Sequence, residues 1–195
     1  VNMSQITKDK DGKVQIGRGT FSVKIEQDQD TAAVMLMTDE AEFIKKLAAA
    51  GDITADELTQ IADGASMELL LRIRNEASLD EESRTQLRKK AAEKGYTPGN
   101  CFKTSLVKYM AENGVMDQET VVSQTGKIKL TLQIPASLQN QDSKKERAYF
   151  ILCNKSGNVE VLSTGYDAKA KTITFEMEDY ADYAVVYQDT DKSDN

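Results

Sequence analysis

The chain has no histidine and no tryptophan in 195 residues, and only two cysteines and two prolines. Without histidine there is no ordinary general base at neutral pH, and no Ser-His or Cys-His nucleophile pair. Two thiols without a CxxC spacing, and with no imidazole to help them, do not make up the usual zinc ligand sets, so no metal site is expected. No apolar run approaches 18 residues, so no membrane insertion is expected, and no secretion signal is visible. There is no GxGxxG and no P-loop; Gly17-Arg18-Gly19 reads as a turn, and no cofactor is expected. Basic residues are outnumbered: 25 Lys and Arg against 32 Asp and Glu leave a net charge of −7, with no basic stripe to neutralise phosphates. Nucleic acid is therefore excluded as a partner.

What is present is hydrophobic patterning of two kinds. In the first half, strand signals run at Val14 and Ile16, and again at Phe21, Val23 and Ile25. Ala33 to Met37 forms a short apolar run expected to be buried on both faces. Helices are expected near 39–50, 54–63 and 79–94. Their start signals are Asp39 with Glu42, Thr54 with Glu57, and Ser78 with Glu81, and their stop signals are Gly51, Gly64 and Gly95. Between the second and third helices, Met67, Leu69, Leu71 and Ile73 alternate with Glu68, Leu70, Arg72 and Arg74 as a strand. Arg88-Lys89-Lys90 reads as the solvated face of a surface helix. Pro98-Gly99 is expected to turn the chain into a strand over 101–110, and Asn113-Gly114 to turn it again.

The second half is purely period-two. Ile128, Leu130, Leu132 and Ile134 share one face of a strand that Pro135 ends. Further strands are expected at 149–153, 159–162, 172–176 and 183–187, with a turn at Ser156-Gly157. Short strands at this spacing are a sandwich signature. The fold class expected is therefore α+β: a mixed strand-helix unit over 14–122, then an antiparallel, sandwich-like β unit over 123–189. The polar segments 1–13 and 190–195 read as linkers of a piece taken from a longer protein.

The acidic clusters Asp28/Asp30, Asp39/Glu40, Asp80-Glu81-Glu82 and Glu176/Glu178/Asp179 fall at caps, strand ends and loops, where solvation and helix dipoles account for them. Asp9-Lys10-Asp11-Gly12 echoes the start of a calcium loop but lacks its later ligands. A glycosidase working with carboxylates alone would need two such acids facing across a cleft. No catalytic residue is assigned. Cys101 and Cys153 are expected to be free, buried thiols. The tyrosines at the sheet end either rim a core with wet hydroxyls or make a sugar-stacking surface. For the second case the candidate ligand-binding residues are Tyr180, Tyr166 and Tyr149.

Several stretches carry a family resemblance. They are Thr125-Gly126-Lys127, Leu-Gln-Ile-Pro over 132–135 with Leu138, Arg147-Ala148-Tyr149, the Ser156-Gly157 turn, Ile173-Thr174-Phe175-Glu176, and Tyr183 to Asp189. Upstream, Met35 to Thr38, Gly64 to Leu69 and Asn100 to Lys108 belong to the same likeness. Together they resemble a module near the C-termini of large secreted or wall-anchored proteins of clostridia and related gut Firmicutes. The family's last strand usually reads Phe-Ser-Thr-Tyr where this chain has Tyr180-Ala181-Asp182-Tyr183. The resemblance implies a non-catalytic, extracellular module of the bacterial cell surface: a spacer, stalk or adhesive domain. Its partners would be other domains of the same surface protein, a host protein or a glycan. A carbohydrate-binding module is the alternative.

Overall fold

A computed structural model describes residues 2–193, with 124–126 described by backbone alone. Strands β1 (Thr7–Lys8), β2 (Val14–Ile16), β3 (Gly19–Gln27) and β4 (Val34–Leu36) precede helices α1 (Glu40–Ala49) and α2 (Ala55–Ala62). Strand β5 (Ser66–Arg74) leads through a 3-10 turn into α3 (Glu81–Glu93) and the long β6 (Thr97–Glu112). There follow β7 (Val115–Met116), β8 (Thr120–Val122), β9 (Gln124–Gln133), β10 (Lys145–Lys155) and β11 (Asn158–Leu162). The last strands are β12 (Thr164–Asp167), β13 (Thr172–Asp179) and β14 (Asp182–Asp191). The protein is β-rich, with three α-helices among the described residues.

The strands sort into two sheets. Ten form a mixed sheet with the order β1-β2-β3-β5-β6-β14-β10-β11, to which β7 and β8 add along β6. Only β3 and β5 in it run parallel, Thr20 facing Ser66 and Gln27 facing Ile73. The other four form an antiparallel sheet ordered β12-β13-β9-β4. Alternation along the large sheet separates two cores. One face, through Met67, Leu69, Leu71, Ile73, Leu106, Ile151 and Tyr183, shares its core with Ile128, Leu130, Leu132 and Phe175 of the small sheet and with Phe43, Ile44, Leu47 and Ile61 of α1 and α2. The opposite face packs Cys101, Leu152, Ala184 and Val186 against Leu87 and Ala91 of α3.

The helices begin where side chains satisfy their first amides. Asp39 accepts from Glu42 N, and Thr54 and Glu57 close a reciprocal capping box. For α3 the cap is Asp80, which accepts from Ser83 N, and Ser78 belongs instead to the preceding 3-10 turn. That helix has few apolar residues, but Ser83, Leu87 and Ala91 recur at helical spacing and bury one stripe. A buried cation ties α2 to the sheet: the Lys108 ammonium donates to Glu57 Oε1 at 2.7 Å and to the Asp52 carbonyl.

Several expectations change. Pro98-Gly99 does not turn the chain; it lies inside β6 at a bulge, where pairing skips from Ala184–Cys101 to Val186–Pro98. Strand β4 is half-buried on one side, through Val34 and Leu36, and exposed on the other. It forms an edge of the small sheet, and Met35 is 64% exposed. The segments 1–13 and 190–195, expected as linkers, contribute structure: Ile6 is buried at 1%, Thr7–Lys8 pair with β2, and β14 runs to Asp191 opposite Lys145. The boundary expected at 122/123 is crossed by the large sheet, because β14 and β10 from the second half continue from β6 of the first.

Candidate functional site

The singled-out tyrosines divide between two ends of the sheet. Tyr149 stands on β10 directly opposite Tyr187 on β14 and is buried; its hydroxyl donates to the Leu138 carbonyl at 2.8 Å. Tyr166, on the edge strand β12, leans against it with ring centroids 5.1 Å apart and is 49% exposed. Tyr180 precedes the other end of β14. At ~3.3 Å per residue, the five steps from Asp182 to Tyr187 already span roughly 16 Å. Tyr180 is half-buried against the main core. Tyr149 and Tyr166 therefore form one aromatic cluster, and Tyr180 lies apart from it.

Around that cluster are groups that sequence patterning did not single out as a site. Arg147 makes a forked pair with Asp189, Nε to Oδ1 at 2.7 Å and Nη2 to Oδ2 at 2.8 Å. Its Nη1 also donates to the Leu138 carbonyl at 2.9 Å. The guanidinium carbon lies 3.8 Å from the Tyr187 ring centroid, a cation–π contact. This pairing holds the Asp189 carboxyl below the usual carboxylate range and raises Arg147 further. The signal was present as Arg147 and Asp189 in strands of matching pattern, but only the β10–β14 register places them face to face.

A groove of about 510 Å³ opens where β10 and β11 diverge from β12 and β13. Its inner wall holds Cys153, Leu162, Phe175 and Tyr183, and Lys127, Glu160, Glu176, Glu178 and Asp179 are among the charged groups at its margin. Phe175 and Tyr183 are covered, at 2% and 0% exposure, so neither offers a ring face to a sugar. Two of the marginal acids are engaged: Glu178 with Lys127 at 3.3 Å and Asp179 with Lys155 at 2.9 Å. The other acidic clusters are engaged as well. Asp28 accepts from Asn75 N and pairs with Arg74, Asp30 accepts from the Asn75 amide, and Asp39 and Asp80 are caps. Asp9 turns its loop back by accepting from the amides of Asp11 and Lys13.

Under the start of α3, Ser83 donates to Asp182 at 2.6 Å. It accepts from the Asn154 amide at 3.0 Å, and Asn154 also donates to Gln86 and accepts from Gly157 N. Each member uses its polar atoms on the others, which fixes α3 against β10 and β14. No group of three or more metal-capable side chains occurs among the described residues. Comparison with known proteins found no matching family model, no matching curated protein and no matching solved structure.

Proposed function

We propose that this chain is a non-catalytic structural or adhesive module of a bacterial surface protein, displayed outside the cell as a spacer or interaction domain. In this reading it is an α+β fold whose two packed sheets form a sandwich-like unit to which both halves of the chain contribute. The observation that carries it is where the charged groups are used. Several of them tie strand to strand: Arg147 to Asp189, Lys145 to Asp191 at 2.5 Å, Arg72 to Glu26 at 3.3 Å, and Lys24 to Glu68 at 3.3 Å, while Arg72 also reaches Glu119, just before β8, at 2.7 Å. Exposed pairs of this kind add little stability singly, but in register along a sheet they select one pairing over its slipped alternatives. The setting comes from the resemblance to clostridial surface modules. Antibody labelling of intact source cells, with mild protease treatment of the same cells, tests it. Labelling lost on protease treatment is the expected result; a signal that appears only after lysis would reject it.

The alternative reading, carbohydrate binding, is favoured by one observation, the exposed Tyr166 ring tilted against the buried, hydrogen-bonded Tyr149. Among the described tyrosines it is the only exposed one. A glycan array with the protein and with Tyr166→Ala decides it: binding that vanishes in the variant moves the assignment to a sugar-binding module.

A further inference from the structure

We propose that the large sheet is built to bear tension along its strands, applied between the chain leading into β1 and the chain leaving β14. The inference deepens the spacer reading and rests on it for its purpose, though not for its geometry. Strands β3 and β5 run parallel, β6 runs opposite to β5, and β14 runs opposite to β6, so β3, β5 and β14 point the same way. Strand β1, antiparallel to β2, which is antiparallel to β3, shares that direction.

Thr7 lies across from Gln15, Gln15 from Thr20, Thr20 from Ser66, and Ser66 from Ala111, all in one row at one end of the sheet. Strand β6 then runs back from Ala111 to Thr97, which faces Tyr187, and β14 continues past it to Asp191. At ~3.3 Å per residue this places the exit from β14 about 55 Å along the strands from the start of β1. Sheet twist of about 20–25° per step turns β14 by roughly 60–75° from β3, three steps away, and β1 lies two steps further round.

Inter-strand hydrogen bonds lie across the strands. A pull along the strands strains all the bonds of a pair together, whereas a pull across them opens the bonds one after another. On the entering side the load first meets two β1–β2 pairs and three β2–β3 pairs, and behind them β3 is held to β5 over eight register pairs, from Thr20–Ser66 to Gln27–Ile73. On the leaving side, β14 is flanked by β6 and β10, and it faces β10 without a break from Lys145–Asp191 to Asn154–Asp182. Where load enters β14, the first side-chain pairs it meets are Lys145–Asp191 and the Arg147–Asp189 fork over Tyr187. A clamp of this design resists shear.

Single-molecule force spectroscopy tests it with two pairs of attachment points in the full chain. Ser4→Cys with Lys192→Cys pulls along the strands. Lys144→Cys with Lys192→Cys pulls β10 and β14 apart from the same end, since Lys192 N bonds to the Lys144 carbonyl. The native thiols are buried, so maleimide handles take the exposed new ones. Unfolding under force follows the barrier to unfolding rather than equilibrium stability. The expected result is one rupture in the first geometry at a force severalfold above the peeling force of the second. Equal forces would overturn the proposal. Handles ligated to the chain ends replace the first cysteine pair if that variant fails to refold. Surface labelling fails or succeeds independently: a weak module still on the cell surface would sink the tension proposal alone, and a strong one inside the cell would sink the spacer reading alone.

Discussion

Cys101 and Cys153 stand on β6 and β10, the two neighbours of β14, yet they face away from each other. Cys101 lies opposite Ala184 and Cys153 opposite Tyr183, adjacent residues whose side chains leave opposite faces of the sheet. With one strand between them at ~4.8 Å spacing, their backbones are roughly 10 Å apart, beyond the ~7 Å a disulfide spans. Burial pushes the Cys101 thiol up to about 12, with Glu76 beside it adding to the effect, and burial also raises Cys153. Both thiols are therefore expected to alkylate only after denaturation, and mild oxidation should leave the native protein with two free thiols. The same shifts set a pH dependence. Unfolded thiols ionise near 9 while the folded ones stay protonated, so the folded state holds more protons above that pH and stability falls as pH rises. Tyr109, raised to about 12 mainly by burial with Glu68 next to it, and the buried Tyr183 act in the same direction. Thermal melts should be flat from neutral to pH 9 and fall steadily from there toward 12. A melting temperature that holds through pH 11 would contradict these environments.

At the scale of elements, Gly19 shows how a backbone contact decides a residue. It opens β3 where the end of α2 crosses the β2–β3 hairpin, and a Cβ placed there would sit 1.8 Å from the Ile61 carbonyl oxygen and 2.2 Å from that of Ala65. Both obstacles are main chain and cannot swing aside. Gly19→Ala is expected to cost about 3 kcal/mol or more, as overpacking against a fixed neighbour does. Gly51→Ala, after α1 at φ +80° with open space around it, should cost only the left-handed conformation, about 1–2 kcal/mol. Urea unfolding of the two variants checks the order, and a milder Gly19→Ala would overturn it. The sequence announced Gly51, as a helix stop, more loudly than Gly19, because stops are local and close approaches are not. The same contrast runs through the fold. The Thr54–Glu57 box and the alternation of Ile128 to Ile134 were legible, since each depends on neighbours within a turn or a strand. The bulge at Pro98-Gly99 and the edge position of β4 depend on which strand lies alongside, as does the pairing of Arg147 with Asp189. In the candidate site, Tyr149 and Tyr166 were legible as tyrosines in strands. Their meeting follows from β12 of the small sheet lying against β10, where Thr164 Oγ1 donates to the Tyr149 carbonyl, and the separation of Tyr180 from them follows from the register of β10 with β14.

For the whole molecule, the consequence of that topology is cooperativity. Composition changes near residue 123, from mixed helix and strand to strands alone, but hydrogen bonding does not divide there. Strand β14, from the end of the chain, lies between β6 of the first half and β10 of the second. The main core takes Leu69 and Ile44 from one side of residue 123 and Leu130 and Ile151 from the other. Removing either half would expose an unpaired central strand and half of a shared apolar core, which is costlier than exposing a natural edge. The two faces are also coupled, because α3 packs on Ala184 and Val186 while Tyr183 and Val185 of the same strand sit in the opposite core. Leu87→Ala under α3 and Leu130→Ala in the small sheet are therefore expected to lower one and the same transition, each by about 2–5 kcal/mol, as buried leucine truncations do. In calorimetry the van't Hoff and calorimetric enthalpies should agree for the protein and for both variants. If Leu130→Ala split the melt into two steps, with helix signal surviving the first, the two halves would be independent units and the single-sheet account of stability would fail. A single transition that both variants move ties the helix-bearing end, the small sheet and the strand clamp into one folding unit.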